Sequence, residues 1–413
     1  MQERPERTSM ITIRQMLQRS ALVAIGLLAL AGSPAYAQNY VFSDMGGLSD
    51  FSRMYSPRGI NNLGQVVGDS STGVPVIWSN GSWSNIAALP GFSAYSAQNI
   101  NDAGQIAGIG QPDGVDAAVA LRWDNSATQP TALTGLIPLD VTQTLLPFDF
   151  GTTINNSGAV GGTVWRPDGS GTNAALWQPG STTVTDLGNL GGPFVNVWNH
   201  QLNDNGVLTG TGHTENSDST RGAAWVNGTA ELLALLPGGT NNEANSINNL
   251  GQIVGMSESG ATDTEGNPIH VPVLWSDVNA NPTLLGTLGG ARGMAFAINE
   301  NGQAVGFSEA ADGKAYATLW DNGQVIDLTQ FIPADLKAAG WHVIDNIAIQ
   351  SSSASSDYIA INDHGQIVTN LYNGSNRIPF LLTPVPVPAA VYLFGTGLVG
   401  LVGLARRRMK TTI

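Results

Sequence analysis

The sequence predicts an all-β fold, a closed ring of seven four-stranded blades known as a β-propeller. Three observations lead to this prediction. The composition suits short strands and tight turns, one turn motif recurs seven times, and one strand stands at the start of the chain instead of after the last repeat. An open β-solenoid, or a ring of six or eight blades, is the alternative that such repeats leave open.

The composition favours many short strands over long helices. Only 12% of the 413 residues are charged, and the chain contains 51 Gly and 21 Pro. Surface helices need more Glu, Lys, Arg and Leu, whereas Gly with scattered Asn, Asp, Thr and Ser is typical of turns between strands. The chain has no Cys, which excludes disulfides and thiol catalysis.

The recurring motif is an apolar residue followed by Asn-x-x-Gly and a short apolar run. Asn accepts a hydrogen bond from the backbone two residues on, and Gly adopts the positive φ that a type I turn leading into a bulge requires. We therefore interpret these residues as structural hairpin turns. The turn residues are Asn61 and Gly64, Asn101 and Gly104, Asn155 and Gly158, Asn203 and Gly206, Asn248 and Gly251, Asn299 and Gly302, and Asn362 and Gly365.

Two further landmarks follow each turn. The first is an apolar run that ends in Trp, replaced after the seventh turn by 379–382 (Pro-Phe-Leu-Leu); the second is an outer strand that runs into Leu-Pro-Gly or Leu-Gly-Gly. The outer strand is missing after the seventh turn, and its equivalent stands at 40–47. A ring that pairs this N-terminal strand with the last blade removes the exposed edge.

The N-terminus is typical of a secretion signal. Arg14 and Arg19 precede an apolar stretch over 21–32 that is too short to span a bilayer. Ala35 and Ala37 then give the small-x-small cleavage pattern, with Gln38 as the first mature residue. The sequence therefore predicts a signal peptide over 1–37, a propeller over 38–383 and a tail over 384–413.

The tail combines a Pro-rich stretch, an apolar segment and a basic cluster. Residues 389–405 are apolar and predict a transmembrane sorting helix, which Arg406, Arg407 and Arg408 orient with its C-terminal end in the cytoplasm. This order resembles the PEP-CTERM sorting signal of Gram-negative bacteria. The family's Pro-Glu-Pro stands here as Pro386-Val387-Pro388.

The PEP-CTERM resemblance implies a destination and two partners. It implies export through the Sec translocon, an inner-membrane-anchored intermediate, and processing by an exosortase. The mature protein is then expected at the cell surface or in the extracellular matrix. Proteins of this family accompany exopolysaccharide and biofilm production.

The repeats also resemble the HAF family of extracellular repeats. The pattern is carried by 297–306 (Ala-Ile-Asn-Glu-Asn-Gly-Gln-Ala-Val-Gly) and by 186–192 (Asp-Leu-Gly-Asn-Leu-Gly-Gly). The His-Ala-Phe that names the family is degenerate, with its nearest form at 270–275. The resemblance covers about residues 40–382 and implies export and repetition, without a specific activity.

The charge distribution argues against nucleic acid as a partner. Residues 38–388 contain nine Lys and Arg against 29 Asp and Glu, a difference of −20. A region this acidic is repelled by phosphate backbones. Its acidic loops have the oxygen ligands that Ca²⁺ prefers, and Asp263 with Glu265 is the best candidate pair. No other metal or cofactor is predicted, and Ca²⁺ itself is only a possibility.

The sequence holds no recognisable catalytic constellation. It lacks a nucleophile elbow, a P-loop, a zinc-protease motif and an EF-hand loop, and its five His are dispersed. Four aromatics are the better candidates for an exposed sugar-binding surface, although core packing is the favoured interpretation for each of them; they are Trp83, Tyr95, Trp198 and Trp341. The favoured hypothesis is a non-catalytic, surface-sorted protein that binds or structures exopolysaccharide. A propeller enzyme acting on glycans, as lyase or hydrolase, is the alternative, and ice or surface adhesion is a third.

Overall fold

A computed structural model shows a seven-bladed β-propeller. It describes residues 39–46, 55–139, 146–196, 201–215, 219–343, 359–374 and 376–385. Residues 40–384 form one compact unit that contains seven antiparallel sheets of four strands each. The predicted all-β fold and the blade number are confirmed, and the solenoid and the six- or eight-bladed rings are wrong.

Each blade is a meander whose first strand lies nearest the ring axis. Blade 1 comprises β2 (Tyr55–Ile60), β3 (Val66–Ser70), β4 (Pro75–Ser79) and β5 (Ser82–Asn85). Blade 2 comprises β6 (Phe92–Ile100), β7 (Ile106–Pro112), β8 (Val119–Trp123) and β9 (Thr131–Ala132). Blade 3 comprises β10 (Phe150–Ile154), β11 (Val160–Trp165), β12 (Thr172–Trp177) and β13 (Val184–Gly188).

The remaining four blades repeat this order. Blade 4 comprises β14 (Gly191–Asn196), β15 (Leu208–Thr214), β16 (Thr220–Val226) and β17 (Thr229–Leu232). Blade 5 comprises β18 (Asn242–Ile247), β19 (Ile253–Thr262), β20 (Pro268–Trp275) and β21 (Thr283–Leu284). Blade 6 comprises β22 (Gly289–Ile298), β23 (Ala304–Ala310), β24 (Ala315–Asp321) and β25 (Gln324–Asp327), and blade 7 comprises β26 (Ala360–Ile361), β27 (Ile367–Asn373), β28 (Asn376–Pro384) and β1 (Tyr40–Asp44).

The N-terminal strand closes the ring as the displaced outer strand predicts. Strand β1 pairs antiparallel with β28, from Tyr40 opposite Pro384 to Asp44 opposite Phe380. Met45, directly after β1, is fully buried. The two ends of the propeller therefore meet in one blade, and the last sheet has no missing outer strand.

The hydrophobic core lies between neighbouring blades. Between blades 2 and 3, for example, Ala107 and Ala120 pack with Ile154, Val160 and Trp177. Small residues on one blade face large residues on the next, which fills the space between twisted sheets. A blade consequently has no core of its own and depends on both neighbours.

In blades 2 to 6, the Trp at or near the end of the third strand joins two blades by a hydrogen bond as well as by packing. The indole Nε1 donates to a carbonyl oxygen of the preceding blade's outer segment at 2.8–3.1 Å; the pairs are Trp123 with Ala87, Trp177 with Thr134, Trp225 with Leu187, Trp275 with Ala234, and Trp320 with Gly286. In blade 1, Trp83 of the outer strand makes this bond, to the carbonyl oxygen of Met45 at 2.7 Å. In blade 7, Leu382 occupies the Trp position, opposite Ile367.

We expect the Trp225→Phe variant to lower the free energy of unfolding by about 1–2 kcal/mol, because the carbonyl of Leu187 loses its donor. Chemical denaturation with intrinsic fluorescence measures this loss. Trp165→Phe is the matched control, since the buried Nε1 of Trp165 makes no hydrogen bond within the described residues. An equal loss in both variants would attribute the effect to ring size alone.

The Leu-Gly-Gly motif has a different place from the one predicted. It does not end the outer strand: Gly191 and Gly289 begin the first strand of the following blade. A side chain at the next Gly would collide with the second strand, because a Cβ at Gly192 would lie 2.3 Å from the carbonyl oxygen of His213. The motif therefore allows the chain to cross closely over the blade that it enters.

A short helical insertion lies between blades 6 and 7. It consists of a 3₁₀ turn over Leu328–Phe331 and a helix, α1, over Ala334–Ala338. Neither segment, in the part of the chain that the structure describes, has the length and hydropathy of a membrane span. The predicted signal peptide (1–37) and transmembrane helix (389–405) lie outside the described residues, as do Ala35, Ala37, Gln38, Pro386, Pro388, Arg406, Arg407 and Arg408.

Candidate functional site

The seven Asn-x-x-Gly turns lie together at one end of the ring, here called the anchor face. Each Gly has a positive φ between 72° and 84°, and each turn joins the first two strands of a blade. The second-to-third strand connections lie at the opposite end, here called the loop face, because antiparallel strands reverse direction at each turn.

The Asn side chains of the anchor face also form a closed ring of hydrogen bonds between blades. Each Nδ2 donates to the backbone carbonyl oxygen of the corresponding Asn in the next blade, at 2.9–3.1 Å; the order is Asn61, Asn101, Asn155, Asn203, Asn248, Asn299, Asn362 and again Asn61. All seven side chains are buried. Sequence reasoning assigned them to turn geometry alone and missed this second role.

A second ring runs parallel to the first, one residue further along each turn. Each backbone N–H donates to a side-chain oxygen of the next blade at 2.7–3.0 Å; the order is Asn62, Asp102, Asn156, Asp204, Asn249, Glu300, Asp363 and again Asn62. Burial and the carboxylates of Asp363 and Asp204 raise the pKa of Glu300, while the N–H of Asn249 opposes this shift. Alternation of amides and acids keeps most of the charges apart.

The axis beside these rings encloses only a small cavity. Its volume is about 150 Å³, and all seven blades contribute to its wall through the apolar residue before each turn Asn. That volume holds a few water molecules. The two rings of hydrogen bonds give the anchor face a structural role in closing the propeller.

A larger cleft opens on the loop face across blades 1 to 3. Its volume is about 430 Å³, within the range of small-molecule sites. The first strands of these blades contribute Arg58, Gln98 and Phe150, and the connection after β7 contributes Asp116. This cleft is the candidate functional site, because it joins aromatic walls to fixed polar groups.

A hydrogen-bonded network holds the polar side of the cleft. Arg58 Nε donates to Asp69 Oδ2 at 2.7 Å, and Arg58 Nη1 donates to Gln98 Oε1 at 3.2 Å. Asp69 also accepts from Ser96 Oγ at 2.9 Å and from the N–H of Ala97 at 3.2 Å. The network joins blade 1 to blade 2, so these side chains are held in place before any ligand binds.

The aromatic side of the cleft consists of Tyr95, Phe148 and Phe150. The Tyr95 hydroxyl donates to the carbonyl oxygen of Phe92 at 2.9 Å and also bonds to Leu89, which fixes the ring. Burial, followed by the carboxylate of Asp113, raises the pKa of Tyr95, whereas the bond to Leu89 lowers it. The hydroxyl therefore stays protonated, and the ring serves as a wall.

An aromatic strip continues from the cleft toward blade 4. The ring of Phe148 lies 6.3 Å from that of Trp165, which lies 6.4 Å from that of Phe194. Phe194 is 49% exposed. The strip gives the cleft an apolar continuation over the loop face.

The four candidate aromatics from the sequence lie in different environments. Tyr95 borders the cleft, whereas Trp83 packs against Trp78 with ring centres 5.6 Å apart and bonds to Met45. Trp341 is buried in the core of blades 6 and 7, in the packing role that the sequence analysis favours for it. Trp198 lies outside the described residues. The sequence analysis did not identify Phe148, which lies just before β10, or Phe150, which begins that strand.

The proposed calcium pair lies on a hairpin of blade 5. The Asp263 carboxylate accepts the N–H groups of Glu265 and Asn267 and pairs with Arg292 at 2.6 Å. These bonds and the guanidinium lower the pKa of Asp263. Within the described ranges, no three acidic, His or Cys side chains come together in a metal-binding geometry. Calcium binding at Asp263 and Glu265 stays a prediction.

Several solved structures have a similar fold. The propeller domain of the Trilobed protease from Pyrococcus furiosus gives a TM-score of 0.45 at 9% identity, over 72% of this chain and 84% of that one. A puromycin-hydrolyzing peptidase of Mycobacterium tuberculosis gives 0.47 at 12% identity, over 84% and 55%. A gluconolactonase from Xanthomonas campestris gives 0.36 at 9% identity, over 86% and 93%. No family model matches the chain, and no curated protein is similar to it in sequence. These likenesses concern the backbone alone.

Proposed function

We propose that this protein is exported, sorted at the membrane by its PEP-CTERM-like tail, and binds extracellular polysaccharide in the cleft on its loop face. The export and sorting steps rest on the two terminal segments of the sequence. The cleft carries the binding step, because it places Tyr95, Phe148 and Phe150 against the fixed side chains of Arg58 and Gln98. Aromatic faces suit the C–H faces of a sugar ring, and planar polar groups suit its hydroxyls.

The number of carboxylates in the cleft that are available for catalysis favours binding of a polysaccharide over its cleavage. Glycoside hydrolysis uses two available carboxyl groups about 5–10 Å apart. Asp69, which borders the cleft, already accepts hydrogen bonds on both oxygens, from Arg58, Ser96 and Ala97. Asp116 is the other carboxylate of the lining. A single available acid in the described lining supports the non-catalytic function.

The Phe148→Ala variant tests the site. We expect it to weaken binding of the host's exopolysaccharide about tenfold, equivalent to ~1.4 kcal/mol, because the sugar loses an aromatic wall. Calorimetry on the full chain in mild detergent measures the affinity.

Leu284→Ala is the control, since Leu284 is 59% exposed on the outer strand of blade 5. Equal affinity in all three proteins would move the site away from the cleft. Absence of binding to the folded protein would contradict the proposed function, and new reducing or unsaturated ends after incubation would favour the enzyme alternative.

A further inference from the structure

The charges of the cleft restrict which sugar it accepts. Among the described residues, three charged side chains line it, namely Arg58, Asp69 and Asp116. The guanidinium of Arg58 is already engaged by Asp69 at 2.7 Å and by Gln98 at 3.2 Å. The pair is only 16–17% exposed, so neither charge projects freely into the cleft.

Asp116 is the charge that remains for a ligand. It is exposed on the connection between β7 and β8, and it makes no hydrogen bond or ion pair with any described residue. The described part of the lining therefore has a net charge of −1, contributed by Asp116. The chain from residue 38 to residue 388 is acidic as well, with a net charge of −20. Both the local and the long-range field repel an anionic ligand and attract a cationic one.

We infer that the cleft prefers sugar units with a free ammonium group and discriminates against uronates, with Asp116 as the specificity-determining residue. This inference rests on the proposed function, since it takes the cleft to be the polysaccharide site. The aromatic walls would hold the ring face while the Asp116 carboxylate pairs with the ammonium group at the rim. A uronate carboxylate in the same place would face Asp116 without a free cation from the lining to balance it.

Three tetrasaccharides of equal length test this inference by calorimetry on the full chain: one of glucosamine, one of N-acetylglucosamine and one of a uronic acid. At a pH where the amine is protonated and at low salt, we expect glucosamine to bind at least fivefold more tightly than its N-acetylated form, and the uronate most weakly. The preference should shrink at high salt, because exposed charges are screened.

The Asp116→Asn variant should abolish the preference for glucosamine while leaving the affinity for the N-acetylated sugar unchanged. Asp277→Asn, an exposed carboxylate of blade 5 outside the lining, is the matched control and should keep the preference. Equal binding of the amino and N-acetylated sugars, or tighter binding of the uronate, would overturn the inference and leave the proposed function intact. Absence of binding by all three sugars and by the host polysaccharide would overturn both.

Discussion

The Asn101→Asp variant is expected to lower the free energy of unfolding by about 4 kcal/mol, in the range found when a buried charge is left uncompensated. The Nδ2 of Asn101 donates to the carbonyl oxygen of Asn155 and to Oε1 of Gln105, both at 2.9 Å, and the side chain is only 4% exposed. Asp keeps the oxygen that accepts the N–H of Gln105. It loses the donor and turns a carboxylate toward two acceptor oxygens.

Urea or guanidinium denaturation of both proteins, followed by circular dichroism, measures the effect. Asn125→Asp is the matched control, because Asn125 forms an exposed turn by accepting the N–H groups of Ala127 and Thr128, a role that Asp fills equally well. We expect the control to change stability by less than about 0.5 kcal/mol. A loss at position 101 no larger than at position 125 would show that the ring bond adds nothing to blade contact.

The number of blades and the closure of the ring by the N-terminal strand could be predicted because both depend on local sequence patterns. Turn chemistry marks the end of each first strand, and the displaced strand at 40–44 leaves one closed arrangement that completes every blade. The Leu-Gly-Gly motif was misplaced because its requirement is not local. Gly192 lies so close to the carbonyl oxygen of His213, on the next strand of the blade, that no side chain would fit there. Local propensity does not reveal such a contact.

The second role of the turn Asn had one signal in the sequence. A turn of this kind needs a side-chain acceptor, which Asp or Ser also supplies. All seven copies nevertheless carry an amide at the first position, while the next residue varies among Asn, Asp and Glu. The amide in every copy indicates that a hydrogen-bond donor is needed as well. The structure shows that its acceptor is a backbone carbonyl oxygen of the next blade.

The cleft could be predicted only in part. Tyr95 was a candidate from the sequence. Arg58, Gln98 and Phe150 stand 40 to 92 residues apart along the chain, and they converge only because the first strands of adjacent blades lie side by side. Propeller closure creates such sites from residues that have no shared motif. Trp341 does not contribute to the cleft, because it packs in the core of blades 6 and 7 together with the helical insertion that precedes it.

A second large effect, on the pH dependence of stability, is expected at Asp149. This residue lies directly before β10, between the cleft aromatics Phe148 and Phe150. This carboxyl is buried, accepts one hydrogen bond from the N–H of Trp165 at 3.1 Å, and lies so close to Gly135 that no Cβ would fit there. Burial raises its pKa from 3.8 to about 7, against a smaller lowering by the bond from Trp165. The folded protein therefore keeps this proton at a pH where the unfolded chain has lost it.

The sign of the pH dependence follows from that difference. Below about pH 4 both states carry the proton, and Asp149 costs nothing. As the pH rises from about 4 to 7, the unfolded state gains from ionisation while the folded state does not, so stability falls by about 4 kcal/mol in total. The Asp149→Asn variant cannot ionise. Its stability relative to the natural protein is expected to rise by about 4 kcal/mol between pH 4 and pH 8.

Unfolding titrations of the two proteins at intervals from pH 4 to 8 measure this difference directly, since the other carboxyl groups contribute equally to both. Asp277→Asn, at an exposed turn where Asp277 accepts the N–H of Asn279, is the matched control. A difference that stays flat with pH would mean that the buried carboxyl ionises as readily in the folded state as in the unfolded one. Because Phe148 and Phe150 flank Asp149 on the same chain segment, this titration reports on the part of blade 3 that carries two aromatic residues of the candidate site.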